Sequence, residues 1–332
     1  MIISRTPFRL SFFGGGTDYP KWYLQHGGAV LGTAINKYAH ISLRRLPPFF
    51  KHNHRLVYSK IELVDKYQDF EHPAVRAVLM ESGLDDGLEI HYDGDLPARS
   101  GLGSSSSFTV GLLNALHAYQ GRLTTKDDLA REAIRIEQEV IGENVGSQDQ
   151  IWAAFGGLNR IDFRADGSYE VTPLIIRKAR REALMGSLMM FFTGLSRYSS
   201  SIAGKQIANL DKRVNHLKAM REMVDEAQAI LQDETRSLDD LGALLQDSWH
   251  LKRELADEVS TSMIDEIYEA AIEAGARGGK VLGAGGGGFM VFFARPEVQG
   301  AVRERLKDLL EVSIDFCPQG SRIVIYEPDD GI

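Results

Sequence analysis

The run Pro97-Ala98-Arg99-Ser100-Gly101-Leu102-Gly103-Ser104-Ser105-Ser106-Ser107 brings two glycines and a row of serines to the start of an uncharged helical pattern that ends near Tyr119. Glycine lets the main chain approach a ligand closely, and the unpaired N–H groups and dipole of a helix N-terminus favour an anion. Phosphate is the anion such a loop suits. An N-cap followed by a tight turn would draw on the same residue types. A second run, Gly283-Ala284-Gly285-Gly286-Gly287-Gly288, stands between strand-like segments far down the chain. Two such runs point to close backbone approach around a shared ligand rather than to unrelated turns.

Neither run is one of the common nucleotide fingerprints. No Gly-Lys-Ser/Thr ending occurs, since Gly279-Lys280 is followed by Val281, which excludes a Walker A loop. Gly283 to Gly288 has G-x-G-x-x-G spacing, yet a dinucleotide fingerprint opens a helix and Phe289 to Ala294 is strand-like. The histidines His26, His52, His54, His91 and His250 lack metal-ligand spacing.

These loops must be held by a sizeable core. The chain has 332 residues, 43% hydrophobic and 25% charged, which is ordinary globular usage. A net charge of -8 argues against a general nucleic-acid binder. Cys317 is the single cysteine, so an intrachain disulfide is impossible and a reducing compartment fits. Apolar runs such as Phe289 to Ala294 are far below the roughly 20 residues of a membrane span, so no membrane partner is expected. The first residues show no secretory h-region or cleavage site, and a cytoplasmic location is the expectation.

Strands are expected over Ile2 to Phe13, Ala29 to Arg45, Leu56 to Ser59 and Leu88 to Tyr92, the last feeding the serine-rich loop. Helices follow over Ser104 to Tyr119, Thr125 to Ile141 and Ser147 to Phe155, and Asp166-Gly167 signals a hairpin between Leu158 to Phe163 and Tyr169 to Leu174. The charged stretch Arg177 to Glu182 marks a composition shift, which gives expected domains of 1–182 and 183–332. Beyond it the pattern predicts strand Ser187 to Thr193, helices Ser199 to Gln232, Ser237 to Ala256 and Ser262 to Gly275, strands at Lys280 to Leu282 and Phe289 to Ala294, helix Glu297 to Leu310 and strand Arg322 to Tyr326. Strands and helices mix without regular βαβ alternation, so the fold class is α+β.

Three segments together resemble the GHMP kinase superfamily, which includes galactokinase, homoserine kinase and mevalonate kinase. Pro7-Phe8-Arg9-Leu10-Ser11-Phe12-Phe13-Gly14-Gly15-Gly16-Thr17-Asp18-Tyr19 is similar to its first motif, Pro97 to Ser107 to its phosphate loop, and Lys280 to Phe289 to its third motif. The resemblance spans nearly the whole chain. It implies a domain like domain 2 of ribosomal protein S5 followed by a ferredoxin-like domain, with the active site between them. Gly-Gly-Gly-Thr-Asp-Tyr, Leu-Gly-Ala-Gly-Gly-Gly-Gly-Phe and Phe192-Thr193-Gly194-Leu195-Ser196-Arg197 most resemble kinases of D-glycero-D-manno-heptose 7-phosphate.

By itself Asp149 is an acidic residue in the first turn of a helix behind Ser147, where it suits the dipole. The resemblance implies more, placing it as the catalytic group that takes a proton from the attacking hydroxyl or orients it. Arg9 is then its partner, keeping it ionised and stabilising charge on the transferred phosphoryl. Pro97, Ser100, Gly101, Leu102, Gly103, Ser104, Ser105 and Ser106 would bind the ATP phosphates. Glu137, twelve residues before Asp149, would hold Mg²⁺ with Ser105, and Glu139 reads as a solvated helix charge. Gly15, Gly16, Thr17, Asp18, Arg197, Gly285, Gly286 and Gly287 would line the substrate site. Asp18 could otherwise serve only an Asx-turn before Pro20. Arg197, with Lys37 and Lys280 behind it, would clamp a substrate phosphate.

Galactokinases carry a Glu-His pair where this chain has Gly15-Gly16, which makes galactose a poor expectation and leaves room for a larger phosphorylated sugar. The activity implied is ATP- and Mg²⁺-dependent phosphorylation of the anomeric hydroxyl of the heptose 7-phosphate, giving the 1,7-bisphosphate, in nucleotide-heptose synthesis for a surface glycan. A 1-kinase for another sugar, such as fucose or unphosphorylated heptose, and a sensor that binds without turnover stand as alternatives. The expected partner is a small sugar phosphate, and a homodimer is left open.

Overall fold

A computed structural model describes residues 1–84, 86–194 and 199–328. Strand β1, Ile2–Phe13, alternates between buried and half-buried over its first residues and is buried continuously from Thr6 onward. Alternation marks a strand with one wet face, and continuous burial marks one covered on both. Over the buried stretch Phe8, Leu10 and Phe12 pack with Leu282, Phe289 and Val291 from far down the chain.

Strand β2 is Gly28–Arg45, β3 His54–Val57, β4 Ile61–Val64, β5 Leu88–Gly94, β6 Leu158–Phe163 and β7 Tyr169–Pro173. Strand β8 is Leu188–Phe192, β9 Gly278–Val281, β10 Phe289–Phe293, β11 Leu310–Glu311 and β12 Arg322–Tyr326. The first sheet runs β12-β1-β2-β5-β3-β4, with β6 pairing both β2 and β7. The second runs β11-β8-β10-β9, all antiparallel. That order, fourth-first-third-second within its own half, is the ferredoxin-like arrangement. The α+β class follows from both sheets.

Helix Ser104–Tyr119 lies across β1 and β2 and is buried on nearly every side. Ser4 donates its hydroxyl to the Gly111 carbonyl at 2.7 Å, and Ser107 donates to Pro7 O at 2.9 Å. These bonds fix the helix, and so the loop before it, against the strand that carries Arg9. One apolar cluster then joins the two halves. Phe8, Leu10 and Phe12 of β1 pack with Leu102, Leu282, Phe289, Val291 and Phe293, so a leucine from each glycine loop is set into the shared core.

Several expectations need correction. Glu182, at the expected boundary, lies within a helix, Lys178–Gly186. The part expected over 183–332 does not keep its C-terminus, because β12 returns to pair antiparallel with β1, Ile2 opposite Tyr326. The long helix expected over Ser199 to Gln232 is broken: α-helix Ser199–Asn209, a 3₁₀ turn Leu210–Lys212, then helix Val214–Gln232. The segment expected as one helix from Thr125 to Ile141 is α-helical over Lys126–Arg135 and a π-helical turn over Ile136–Val140. No described helix is long and apolar enough to cross a membrane.

Candidate active site

The phosphate loop meets the helix Ser104–Tyr119 through Gly103, which takes a left-handed conformation as N-cap and leaves the helix without a side-chain cap. A capping serine, the simpler use of this sequence, is therefore not what the loop forms. Ser104 Oγ instead accepts from Arg99 N at 3.2 Å, and the buried Ser100 hydroxyl has no partner. Uncapped N–H groups at a helix start are an anion site in physical terms.

The two glycine loops touch. A Cβ on Gly101 would lie 2.4 Å from Leu282 O, and one on Gly283 would lie 2.6 Å from Gly101 Cα. Phe289 N donates to Ser100 O at 3.1 Å. The close approach expected of these glycines is thus made between the loops themselves. Gly285 and Gly286, expected to face substrate, turn to Val259: a Cβ on Gly285 would sit 2.6 Å from Val259 O, and Gly286 N donates to that carbonyl at 2.9 Å. Gly287 has φ 150° beside them.

Arg9 projects from β1 under this double loop. Its Nε donates to Asp149 Oδ1 at 2.7 Å, its Nη2 to Asp149 Oδ2 at 2.8 Å and its Nη1 to Gly101 O at 2.6 Å. A fork of this kind fixes the carboxylate plane as well as its position. Arg9 is the better buried partner, with side-chain exposures of 6% and 15%, so Asp149 is the side of the pair open to a ligand. A Cβ on Gly103 would come within 3.3 Å of Asp149 Oδ2, which sets that carboxylate directly against the phosphate loop.

Asp18 is buried beside the pair. Its Oδ1 accepts from Gly16 N and its Oδ2 from Gln148 Nε2, both at 2.9 Å. Burial first, and Asp149 second, push its carboxyl up. Gly146 carries no side chain because a Cβ there would lie 1.9 Å from Asp18 Oδ2. Thr17, expected to touch substrate, instead donates to Gly14 O and Ala29 O at 2.8 and 2.9 Å and is fully buried, so it shapes the turn.

Glu137 sits in the π-helical turn, a distortion frequent at functional sites. Its Oε2 accepts from Ser106 Oγ at 2.8 Å and from Gln150 Nε2, and the Thr109 hydroxyl stands near the carboxyl, whose buried Oε1 accepts no well-aligned hydrogen bond. Burial pushes the carboxyl up to about 7. The hydroxyl beside Glu137 is thus that of Ser106, and Ser105, expected there, is exposed. Glu139 is exposed as well. Among the described residues no group of three or more His, Cys, Asp and Glu side chains gathers to hold a metal unaided.

Lys280 does not reach toward a substrate. It is buried and donates to Phe12 O at 2.8 Å, tying the third motif to β1. Lys252, which nothing in the sequence singled out, donates to Val281 O at 2.7 Å and Gly283 O at 2.6 Å. Burial, with Lys280 and Arg9 nearby, holds Lys252 well below the ordinary lysine value. Lys37 is half-buried on β2, and Arg197 lies outside the described residues.

Burial first, then Arg9, bring Lys280 down to about 7 from an ordinary 10.5. Between those values the unfolded chain binds this proton more than the folded one, so stability rises with pH through that window and is flat below it. Lys280→Met is expected to remove up to about 1.4 kcal/mol of that rise per pH unit. Urea unfolding across the window reads the difference, and parallel curves for the two proteins would count against it.

A carboxylate held by an arginine against an uncapped phosphate loop, between an α+β half and a ferredoxin-like half, defines a small-molecule phosphotransferase. Residues 68–157 match the N-terminal domain of GHMP kinases and residues 217–312 match their C-terminal domain. The chain belongs to the GHMP kinase family, whose phosphate donor is ATP. It is 29% identical over 316 residues to a D-glycero-alpha-D-manno-heptose 7-phosphate kinase of Campylobacter jejuni, covering 89% of this chain and 90% of that protein. A crystal structure described as a D-glycero-D-manno-heptose 1-phosphate kinase from Bacteriodes thetaiotaomicron superposes with a TM-score of 0.80 at 22% identity, covering 98% of this chain and 100% of that one. A putative sugar kinase from Campylobacter jejuni superposes with a TM-score of 0.70 at 25% identity, over 97% of both chains.

Proposed function

We propose that the chain transfers the γ-phosphoryl group of ATP to the anomeric hydroxyl of D-glycero-D-manno-heptose 7-phosphate, giving the 1,7-bisphosphate and ADP. The observation that carries this is the Arg9–Asp149 fork pressed against Gly103 of the phosphate loop. It sets a hydroxyl-orienting carboxylate beside the place where an uncapped helix start favours phosphate. The sugar is supported by the Campylobacter jejuni relative and by Gly15, which puts no side chain over Gln148 and Ser11 beside Asp18.

In the transfer the anomeric oxygen forms a bond to the γ-phosphorus as the bond from that phosphorus to the β-γ bridging oxygen breaks. The hydroxyl proton passes to Asp149 and ADP leaves with the bridging oxygen. Arg9 offers positive charge where the transferred group gathers negative charge. Mg²⁺ fits the donor set: Glu137 Oε1 is a buried oxygen outside the Ser106 and Gln150 bonds, and the Ser106 hydroxyl stands beside its other oxygen. Bound there, Mg²⁺ would neutralise charge on the triphosphate. The product would feed nucleotide-heptose synthesis for a surface glycan.

Coupled ADP release with heptose 7-phosphate, unphosphorylated heptose, fucose, galactose and mevalonate tests the proposal. The expected result is a kcat/KM for the heptose 7-phosphate well above every other acceptor. Preference for an unphosphorylated sugar would contradict it.

A further inference from the structure

We propose that Ser11 and Gln148 read a hydroxyl group of the acceptor beside Asp18, and so help to set which sugar is accepted. The inference rests on the sugar-kinase reading above and assigns the recognition of the sugar to two residues outside the motif roles. Ser11 follows Arg9 by two positions on β1, which places both side chains on the same face of the strand. Ser11 is 6% exposed, and its hydroxyl has no hydrogen-bond partner.

Gln148 precedes Asp149 and is 8% exposed. A carboxylate can only accept, so the bond to Asp18 Oδ2 fixes the amide with Nε2 toward Asp18 and Oε1 away from it. That Oε1 is buried and also without a partner. The two side chains converge at one point of the chain. A Cβ on Gly15 would lie 3.8 Å from Gln148 Nε2 and 3.9 Å from Ser11 Oγ, so any side chain at Gly15 would press on both groups.

The chemistry of the corner selects its ligand. Gln148 Oε1 only accepts, Asp18 only accepts while ionised, and the Ser11 hydroxyl can do either. A neutral group that donates and accepts completes the set, and a sugar hydroxyl is such a group. An anionic group would face two carboxylates, Asp18 and Asp149, and the phosphate-bearing end of a sugar phosphate therefore lies away from this corner. Buried polar atoms left unpaired are costly, and a bound hydroxyl removes that cost only when it is present, which makes the corner discriminating. Gln148 also acts as a positioning residue, since its amide holds Asp18 Oδ2.

The test compares wild type, Ser11→Ala and Gln148→Met on the best acceptor from the sugar panel and on its single-deoxy analogues. The expected result is a KM for the sugar raised roughly 10-fold or more in each variant, with the KM for ATP unchanged. One deoxy analogue that wild type rejects should be rejected less by the variants, since the partner of the missing hydroxyl is gone. Unchanged sugar KM, or undiminished rejection of every deoxy analogue, overturns the inference while leaving the kinase reading intact. A wild-type protein that phosphorylates no sugar overturns both. Melting curves accompany the kinetics, and Ser11→Ala, which removes a single oxygen, keeps the test decisive should Gln148→Met fold poorly.

Discussion

Asp149→Asn is expected to lower turnover by roughly 10²–10⁴-fold, the usual range for loss of a positioned acid–base group, with ATP affinity largely intact. The substitution keeps the shape of the side chain but replaces one acceptor oxygen by a donor. That donor faces the Arg9 guanidinium, which has only donors to offer, so one arm of the fork is lost. Arg9 retains its bond to Gly101 O, and the loop proposed to receive the phosphates keeps its anchor. Stopped turnover with ATP still bound is therefore the signature of a group acting on the acceptor hydroxyl. Steady-state kinetics with titration of nucleotide binding reads both quantities. Near-normal turnover would remove Asp149 from its role, and lost ATP binding would make the pair a structural clasp.

Gly101→Ala is expected to damage the enzyme by a different route. Gly101 has φ +83°, and its new methyl would meet Leu282 O at 2.4 Å and Leu282 C at 2.9 Å, backbone atoms that cannot step aside. The left-handed conformation costs an alanine about 1–2 kcal/mol, and overpacking adds about 1–3 kcal/mol. Forcing the loops apart also moves Gly101 O, the third ligand of Arg9. A melting temperature lower by several degrees and a weakened ATP affinity should appear together. Gly83→Ala supplies the control, since Gly83 has φ +64° with nothing within 4 Å of its Cβ position. Equal losses in the two variants would mean that contact between the loops contributes nothing.

Much of this site is legible in the sequence because its parts are local. The helix expected over Ser104 to Tyr119 has those bounds in the structure, and the glycines on either side of Leu102 mark the loop before it. Contacts between distant segments are where sequence fails. Four consecutive serines differ only in their angle about the helix axis, so which hydroxyl meets Glu137 depends on how that helix sits against the π-helical turn. Ser106 is chosen by that packing. The third-motif glycines look alike in sequence, yet Gly283 backs onto Gly101 and Gly285 onto Val259. Lys252 left no trace because a lysine in a mid-chain helix is ordinarily a surface charge, and only the fold aims it at the carbonyls of Val281 and Gly283. Gln148 and Gln150 offered a signal, two amides flanking an acidic residue, that points to polar packing around Asp149. The return of β12 to β1 pairs residues at opposite ends of the chain, which no local pattern encodes.

On the proposed function, the Arg9–Asp149 pair moves the terminal phosphoryl of ATP onto the anomeric oxygen of a heptose phosphate. Phosphorus and proton NMR of the product formed from ATP and D-glycero-D-manno-heptose 7-phosphate tests it most directly. The expected product carries a second phosphate ester coupled to the anomeric proton, formed in step with ADP and absent with Asp149→Asn. An ester on any other oxygen, or ADP released with free phosphate alone, would contradict it.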